Sequence, residues 1–237
     1  MGKTISVIIP VCNEASVIGE TLDRLFETRG NSETEVIVVD GSPRGDTINA
    51  IQRSDVTTVV SGKGRSRQMN TGARHAGGVI LLFLHADTIL PVGALDAVVS
   101  AVEGTRNVAG AFDLGIRSER LALKVIARAA SLRSRITKIP YGDQAIFIRK
   151  DYFNVIGGFR EMPLMEDVDL MRRIKKRGDA ICILPDRVMT SPRRWEMEGI
   201  LYCTLRNWAL ITLFLLGVPP EKLVRFYRQS PPERTDN

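Results

Sequence analysis

Cysteine is scarce and scattered. Cys12, Cys182 and Cys203 are the only three in 237 residues, too far apart for a zinc ribbon and odd in number for a disulfide framework. Such usage suits a reducing compartment. No stretch rich in glycine, serine or proline divides the chain, and no internal repeat appears. A single domain over residues 1–228 is therefore expected, with a disordered tail at 229–237, where two prolines and mixed charges offer no core. The first apolar run, 5–9, is too short for the core of a signal peptide, and polar Asn13 and Glu14 follow closely, so secretion is not expected. The first strand is not followed by a GxGxxG turn, which counts against a dinucleotide-binding dehydrogenase, and the Walker A spacing is missing.

What remains is ordinary globular composition, 44% hydrophobic and 25% charged, with a formal net charge of +6. A chain of this length buries a sizeable core. The basic balance favours anionic partners (a nucleotide, a phosphorylated lipid, a membrane surface or nucleic acid) without choosing among them.

Short apolar runs alternate with helical periodicity through the first half. Strands are expected at 5–11, 35–39, 57–60 and 79–84, and helices at 14–27, 46–52 and 65–76. This order implies an α/β fold with a doubly wound parallel sheet. Further on, helices are expected at 95–102, 121–132 and 168–176, with strands at 108–114, 145–148 and 180–184.

Ligands of open α/β sheets gather at the carboxyl ends of the strands, so the loops there carry the interest. His85 and Asp87, just past the fourth strand, are two residues apart and in an extended chain share a face. An imidazole and a carboxylate so placed suit a divalent ion, and through it a diphosphate. Pro10 to Glu14 follows the first strand and can present backbone amides to an anion; the plainer reading makes Asn13 a helix cap. Asp40 ends the second strand, placed to accept from a nucleobase or ribose, or else to bond its own turn. The cationic loop SGKGRSR (61–67) opens a helix and could serve a diphosphate through Lys63, Arg65 and its amides, or be a solvated basic loop. Asn70 sits where it could brace a neighbouring loop.

Taken together these loops resemble the family 2 glycosyltransferases of GT-A fold. The matching segments are VIIPVCNE (7–14), VVDGS (38–42), NTGA (70–73), FLHAD (83–87), GDQ (142–144) and MEDVDLMRR (165–173). The resemblance covers about residues 4–190, and within the family it extends to small bacterial members assigned to arsenosugar biosynthesis.

The resemblance implies an inverting transfer of a sugar from a nucleotide-diphospho-sugar, a UDP-sugar by preference, to a hydroxyl acceptor, with no nucleic-acid partner. Pro10, Asn13, Glu14, Asp40, Lys63, Arg65, Asn70 and His85 would bind the donor. Asp87, with His85 standing where the family's DxD-type motif has its first acid, would hold Mn²⁺ or Mg²⁺. Asp167, in the first turn of a helix, would be the general base. Glu166, Asp143, Arg194 and Trp195 would lie on the acceptor side. Without the other motifs, each of these has a plainer reading as helix-start acidity, a loop brace or a basic helix start.

The segment 199–218 is nearly long enough to span a bilayer, yet Arg206 and Asn207 interrupt it. With Lys222, Arg225 and Arg228 following, it reads either as a peripheral membrane contact through 199–228 or an oligomer interface, or as an ordinary core helix. The expected location is cytoplasmic, at the inner face of the membrane if that contact exists. The alternative function is a non-catalytic nucleotide-sugar or lipid-phosphate binding protein. A nucleotidyltransferase would want a glycine-rich, arginine-containing loop where VCNE (11–14) stands.

Overall fold

The computed structural model describes residues 5–227, so the expected disorder of the 229–237 tail lies outside the described residues. One eight-stranded sheet organises the chain, in the order β3-β2-β1-β4-β7-β6-β8-β5. Strands β1 (Ile5–Val11), β2 (Thr34–Asp40), β3 (Val56–Val60) and β4 (Ile80–Phe83) form its parallel half. In β1, Val7 and Ile9 enter one apolar cluster while Ile8 enters the other; in β2, Val36 and Val38 alternate in the same way with Ile37 and Val39. Continuous apolar runs of this kind suit strands covered on both faces.

The cover on one face comes from α1 (Ala15–Thr28), α3 (Ala94–Val102) and α4 (Leu121–Thr137), through Ile18, Leu22, Leu95, Val98, Leu123 and Ala127. On the other face lie α2 (Arg65–His75), α5 (Lys150–Val155) and α6 (Glu166–Lys176), through Met69, Ala73, Phe153, Leu170 and Ile174. Gly72 sets the approach of α2: a Cβ there would stand 2.4 Å from Ile8 Cγ2.

The second half of the sheet is mixed. β7 (Phe147–Arg149) pairs antiparallel with β4 and with β6 (Asn107–Ile116), whereas β6 pairs parallel with β8 (Ala180–Thr190). The two-residue β5 (Thr88–Ile89) closes the edge against β8. Two expectations need correction. The helix expected at 46–52 is a single 3-10 turn, Ile48–Ala50, whose first amides bond the buried Asp40 carboxylate and which ends at Ile51, where the backbone becomes extended (φ −83°, ψ 116°). The strand expected to stop at 184 continues to Thr190. It passes a bulge at 185–186, where Phe112 pairs with Leu184 and Asp113 with Arg187, so Pro185 sits in the irregularity. Within the segment 199–218 lies one 16-residue helix, α8 (Ile200–Leu215), set off from α7 (Arg193–Glu198) by Gly199 and followed by α9 (Pro220–Tyr227). Leu210 and Leu223 fasten α8 and α9 to Leu164, Met165 and Val168 at the start of α6.

Candidate active site

A cavity of about 440 Å³ opens at the carboxyl edge of β1 and β4. Its walls bring together Pro10, Glu14, Arg65, His85 and Asp87 from the first half of the chain. Asp143, Asp167, Arg194 and Trp195 come from the second half. Nine residues singled out in the sequence thus share one space.

Backbone strain is concentrated around it. Asn13, Ala145 and Met165 all have left-handed backbone, at φ 59°, 49° and 70°, a conformation that costs a non-glycine residue about 1–3 kcal/mol. Met165 is the turn before α6, and its geometry places Asp167 in the first helical turn, facing the cavity.

The Asp167 carboxylate is held at both oxygens. Oδ2 accepts from the Gly142 amide at 2.5 Å and Oδ1 from the Val168 amide at 2.7 Å. The loop that supplies Gly142 is itself pinned by Gln144, whose Nε2 donates to Phe112 O at 2.8 Å and Ser134 Oγ at 3.0 Å. Gln144 Oε1 in turn accepts from the Tyr141 amide at 3.2 Å. GDQ (142–144) therefore divides its labour: Gln144 is structural, Gly142 leaves space, and Asp143 faces the cavity.

Electrostatically the cavity is a cluster of carboxyls with two arginines. Burial pushes Asp143 up to about 6, with Asp167 adding to it, and leaves its Oδ1 buried without a partner. Burial likewise raises Glu14 to about 7, with the Asp87 charge contributing. His85 is pushed down to about 3, first by burial and then by Arg65 and Arg194, so its imidazole is neutral. Arg194 donates to the Tyr227 hydroxyl and stacks over that ring at 4.4 Å.

Five expected site residues stand elsewhere. Asp40 is fully buried and spends its carboxylate on the amides of Ser42, Thr47 and Ile48, at 2.8, 2.9 and 3.3 Å. The plainer reading, a turn residue bonding its own backbone, describes what is seen. Asn70 is likewise a brace and not a cavity residue: its amide both donates to Phe159 O at 2.8 Å and accepts from Phe159 N at 3.0 Å. Asn13 is exposed and makes no cap, since α1 has no side-chain cap bond. Lys63 lines a second, adjoining groove with Arg65 and Gln68. Glu166, expected on the acceptor side, is buried on that groove's side, 3.4 Å from Arg65. Burial raises its carboxyl, and Arg65 opposes the rise.

Two contributors were not foreseen. Gln68 ties the ends of β1 and β2 by donating to Val11 O at 2.6 Å and Val39 O at 2.9 Å, and it also lines the cavity. A polar residue on a helix facing two strand ends carries no local sequence signal. Tyr141 forms the cavity wall beneath Arg133, whose guanidinium lies 3.3 Å from the ring centroid. Only its place beside GDQ could have pointed to it.

Comparison with known proteins settles the family. The model of "Glycosyl transferase family 2" matches residues 6–162, more than half of the chain. The chain belongs to glycosyl transferase family 2. Its fold is the GT-A type, shared with solved glycosyltransferases of low sequence identity. A mannosyltransferase from Pyrobaculum calidifontis, solved with GDP-Man and Mn²⁺, aligns with TM-score 0.57 at 22% identity, over 78% of this chain and 56% of that one. TarS of S. aureus, solved with UDP-GlcNAc, aligns with TM-score 0.61 at 19% identity, over 79% and 58%. GalNAc-T7, solved with UDP, GalNAc and Mn²⁺, gives 0.60 at 15%, over 80% and 44%. The family 2 chain thus spans about half the length of these structures. No curated protein gives a significant match.

Proposed function

We propose that this family 2 chain transfers a sugar from a nucleotide-diphospho-sugar, a UDP-sugar by preference, to a hydroxyl acceptor with inversion at the anomeric carbon. The observation that carries this reading is the convergence of Asp87, Asp143, Asp167, His85 and Arg65 in one cavity at the sheet edge. Solved neighbours with the same fold hold GDP-Man and UDP-GlcNAc.

Asp167 is the base in this reading. Two backbone amides donate to its oxygens, and each oxygen keeps a further lone pair for the acceptor hydroxyl. The acceptor oxygen attacks the anomeric carbon, its proton passes to Asp167, and the bond to the diphosphate breaks with its electron pair leaving on the phosphate oxygen. One base and one displacement suffice, which is why inversion is the expected outcome. Arg65 and Arg194, both in the cavity wall, offset the charge that develops on the leaving diphosphate. Asp40 acts indirectly, by fixing the 42–48 loop, and Lys63 lies where it meets a diphosphate from the adjoining groove.

Asp87 and His85 fit a hard divalent ion, Mn²⁺ or Mg²⁺, shared with the donor. Asp87 offers an anionic oxygen and the neutral His85 a nitrogen, both lining the cavity. Among the described residues no group of three His, Cys, Asp or Glu side chains is arranged to hold an ion alone. An ion that draws most of its ligands from phosphate and water needs no such group. When bound it would neutralise the leaving diphosphate.

The test of transfer is release of nucleoside diphosphate from UDP- and GDP-sugars, coupled to a glycosylated product. A binding protein with the same cavity would release none, and that result would end the enzymatic reading.

The segment 199–228 is read as a peripheral membrane contact. Leu201, Leu205, Trp208 and Leu216 are exposed on α8 and just beyond it, and no helix among the described residues is long and apolar enough to cross a bilayer. Co-sedimentation with anionic vesicles is expected, and should fall in Leu205→Glu; pelleting that does not change would remove this face from the reading.

A further inference from the structure

The cavity extends well beyond its carboxylate corner. α4 contributes Ile126 and Ala130 to its walls, and α8 contributes Thr204, Asn207, Trp208 and Ile211. Leu114 and Leu164 add to the apolar lining. A site that took only a small polar acceptor would gain nothing from so much hydrocarbon, whereas each methylene buried there is favourable.

Besides Asp143 Oδ1 at the carboxylate corner, the cavity walls hold three polar atoms that are buried and have no partner: Trp195 Nε1, Thr204 Oγ1 and Asn207 Oδ1. Buried polar groups without a hydrogen bond are uncommon and costly. A donor, a hydroxyl and an amide oxygen in one cavity call for a ligand that brings hydroxyl groups of its own. The cavity therefore asks for both hydroxyls and hydrocarbon.

The surface around it asks for the same. Trp208 lines the cavity while remaining 62% exposed, so the cavity meets solvent there. Leu201 and Leu205 are exposed on the same helix, and Leu121, Val125 and Leu132 on α4. These exposed apolar side chains stand on the two helices that wall the cavity. Arg128, Lys222 and Arg225 are exposed on α4 and α9, which favours an anionic lipid layer as the occupant. A second copy of the chain seated on this face would cover the opening at Trp208.

We propose that the acceptor is an amphiphilic alcohol with a hydroxyl-bearing head and an apolar tail, taken from a lipid layer into the space between α4 and α8. The proposal rests on the reading of this cavity as a glycosyltransferase site. Trp195, Thr204 and Asn207 bond the head, and Ile126, Ala130 and Ile211 pack on the tail.

The test uses n-alkyl β-D-glucosides from methyl to octyl, each below its micelle-forming concentration, titrated by calorimetry into the full chain with UDP and Mn²⁺ present. Affinity is expected to rise about fourfold for each methylene that enters the cavity. Ala130→Trp, which fills the tail space, should abolish the chain-length dependence and leave UDP binding intact. Ile211→Ser should weaken that dependence without filling the cavity, and keeps the test open if the tryptophan variant does not fold. Equal affinity for methyl and octyl glucoside, with UDP still bound, would overturn this proposal alone. Failure to bind any nucleoside diphosphate would overturn the transferase reading and this proposal with it. A stable dimer in light scattering that Leu205→Glu dissociates would assign the face to a second copy and equally overturn it.

Discussion

Asp167→Asn is expected to lower turnover by about 10²–10⁴-fold, the usual worth of a positioned general base, with nucleotide affinity nearly unchanged. The substitution keeps the shape and keeps an oxygen to accept the Gly142 amide, now 2.5 Å from Oδ2. What it removes is the ability to take a proton, together with the acceptor for the Val168 amide. Steady-state rates of nucleoside diphosphate release, alongside calorimetric affinity for UDP, separate the two effects. Asp143→Asn is the informative partner, because Asp143 faces the same cavity with a buried, unpartnered Oδ1. If Asp167→Asn stayed fully active while Asp143→Asn failed, the base would be reassigned to Asp143.

Gly142→Ala is expected to cost about a hundredfold in turnover, since displacing a catalytic group by about 1 Å can cost that much. A Cβ at this position would stand 2.9 Å from His85 Nε2 and 3.2 Å from both His85 Cε1 and Asp167 Oδ2. The obstacle is space between two site residues, not backbone conformation, because Gly142 is not among the positive-φ residues. The methyl group must push the imidazole, the carboxylate or the loop, and Gln144 anchors the loop to β6 and α4. Thermal stability should change little compared with turnover, as no core cluster includes Gly142. Wild-type turnover in Gly142→Ala would show that the spacing of His85, Gly142 and Asp167 is incidental.

The parallel half of the sheet was legible because its strands are covered on both faces. Continuous runs such as 5–11 and 79–84 have few other places to go, and the apolar side chains of 7–9 and 80–84 alternate between the two clusters. The mixed half was harder to read. β5 has two residues, too few for any period to show, and β8 runs through a proline that only a bulge accommodates. For the candidate site, which residues line the cavity was more legible than how their side chains turn. Asp87, Asp143 and Asp167 line the cavity as their motifs suggest, while Asp40 turns back on its own loop and Glu166 turns under Arg65. A motif fixes residue type and position along the chain. Which way a carboxylate turns depends on amides and guanidinium groups that fold in from elsewhere. Asn70, eighty-nine positions from the Phe159 backbone it holds, shows the same dependence.

Calorimetry of UDP and GDP, each with and without Mn²⁺, tests the central claim most directly. Tight, selective binding of one nucleotide that needs the metal, with no comparable metal binding in the absence of nucleotide, is the expected result. Asp87→Ala should abolish the metal-dependent part, since Asp87 is the carboxylate that this reading gives to the ion. Binding of neither nucleotide under any condition, or binding that Mn²⁺ and Asp87→Ala leave untouched, would contradict a donor site at the carboxyl edge of β1 and β4.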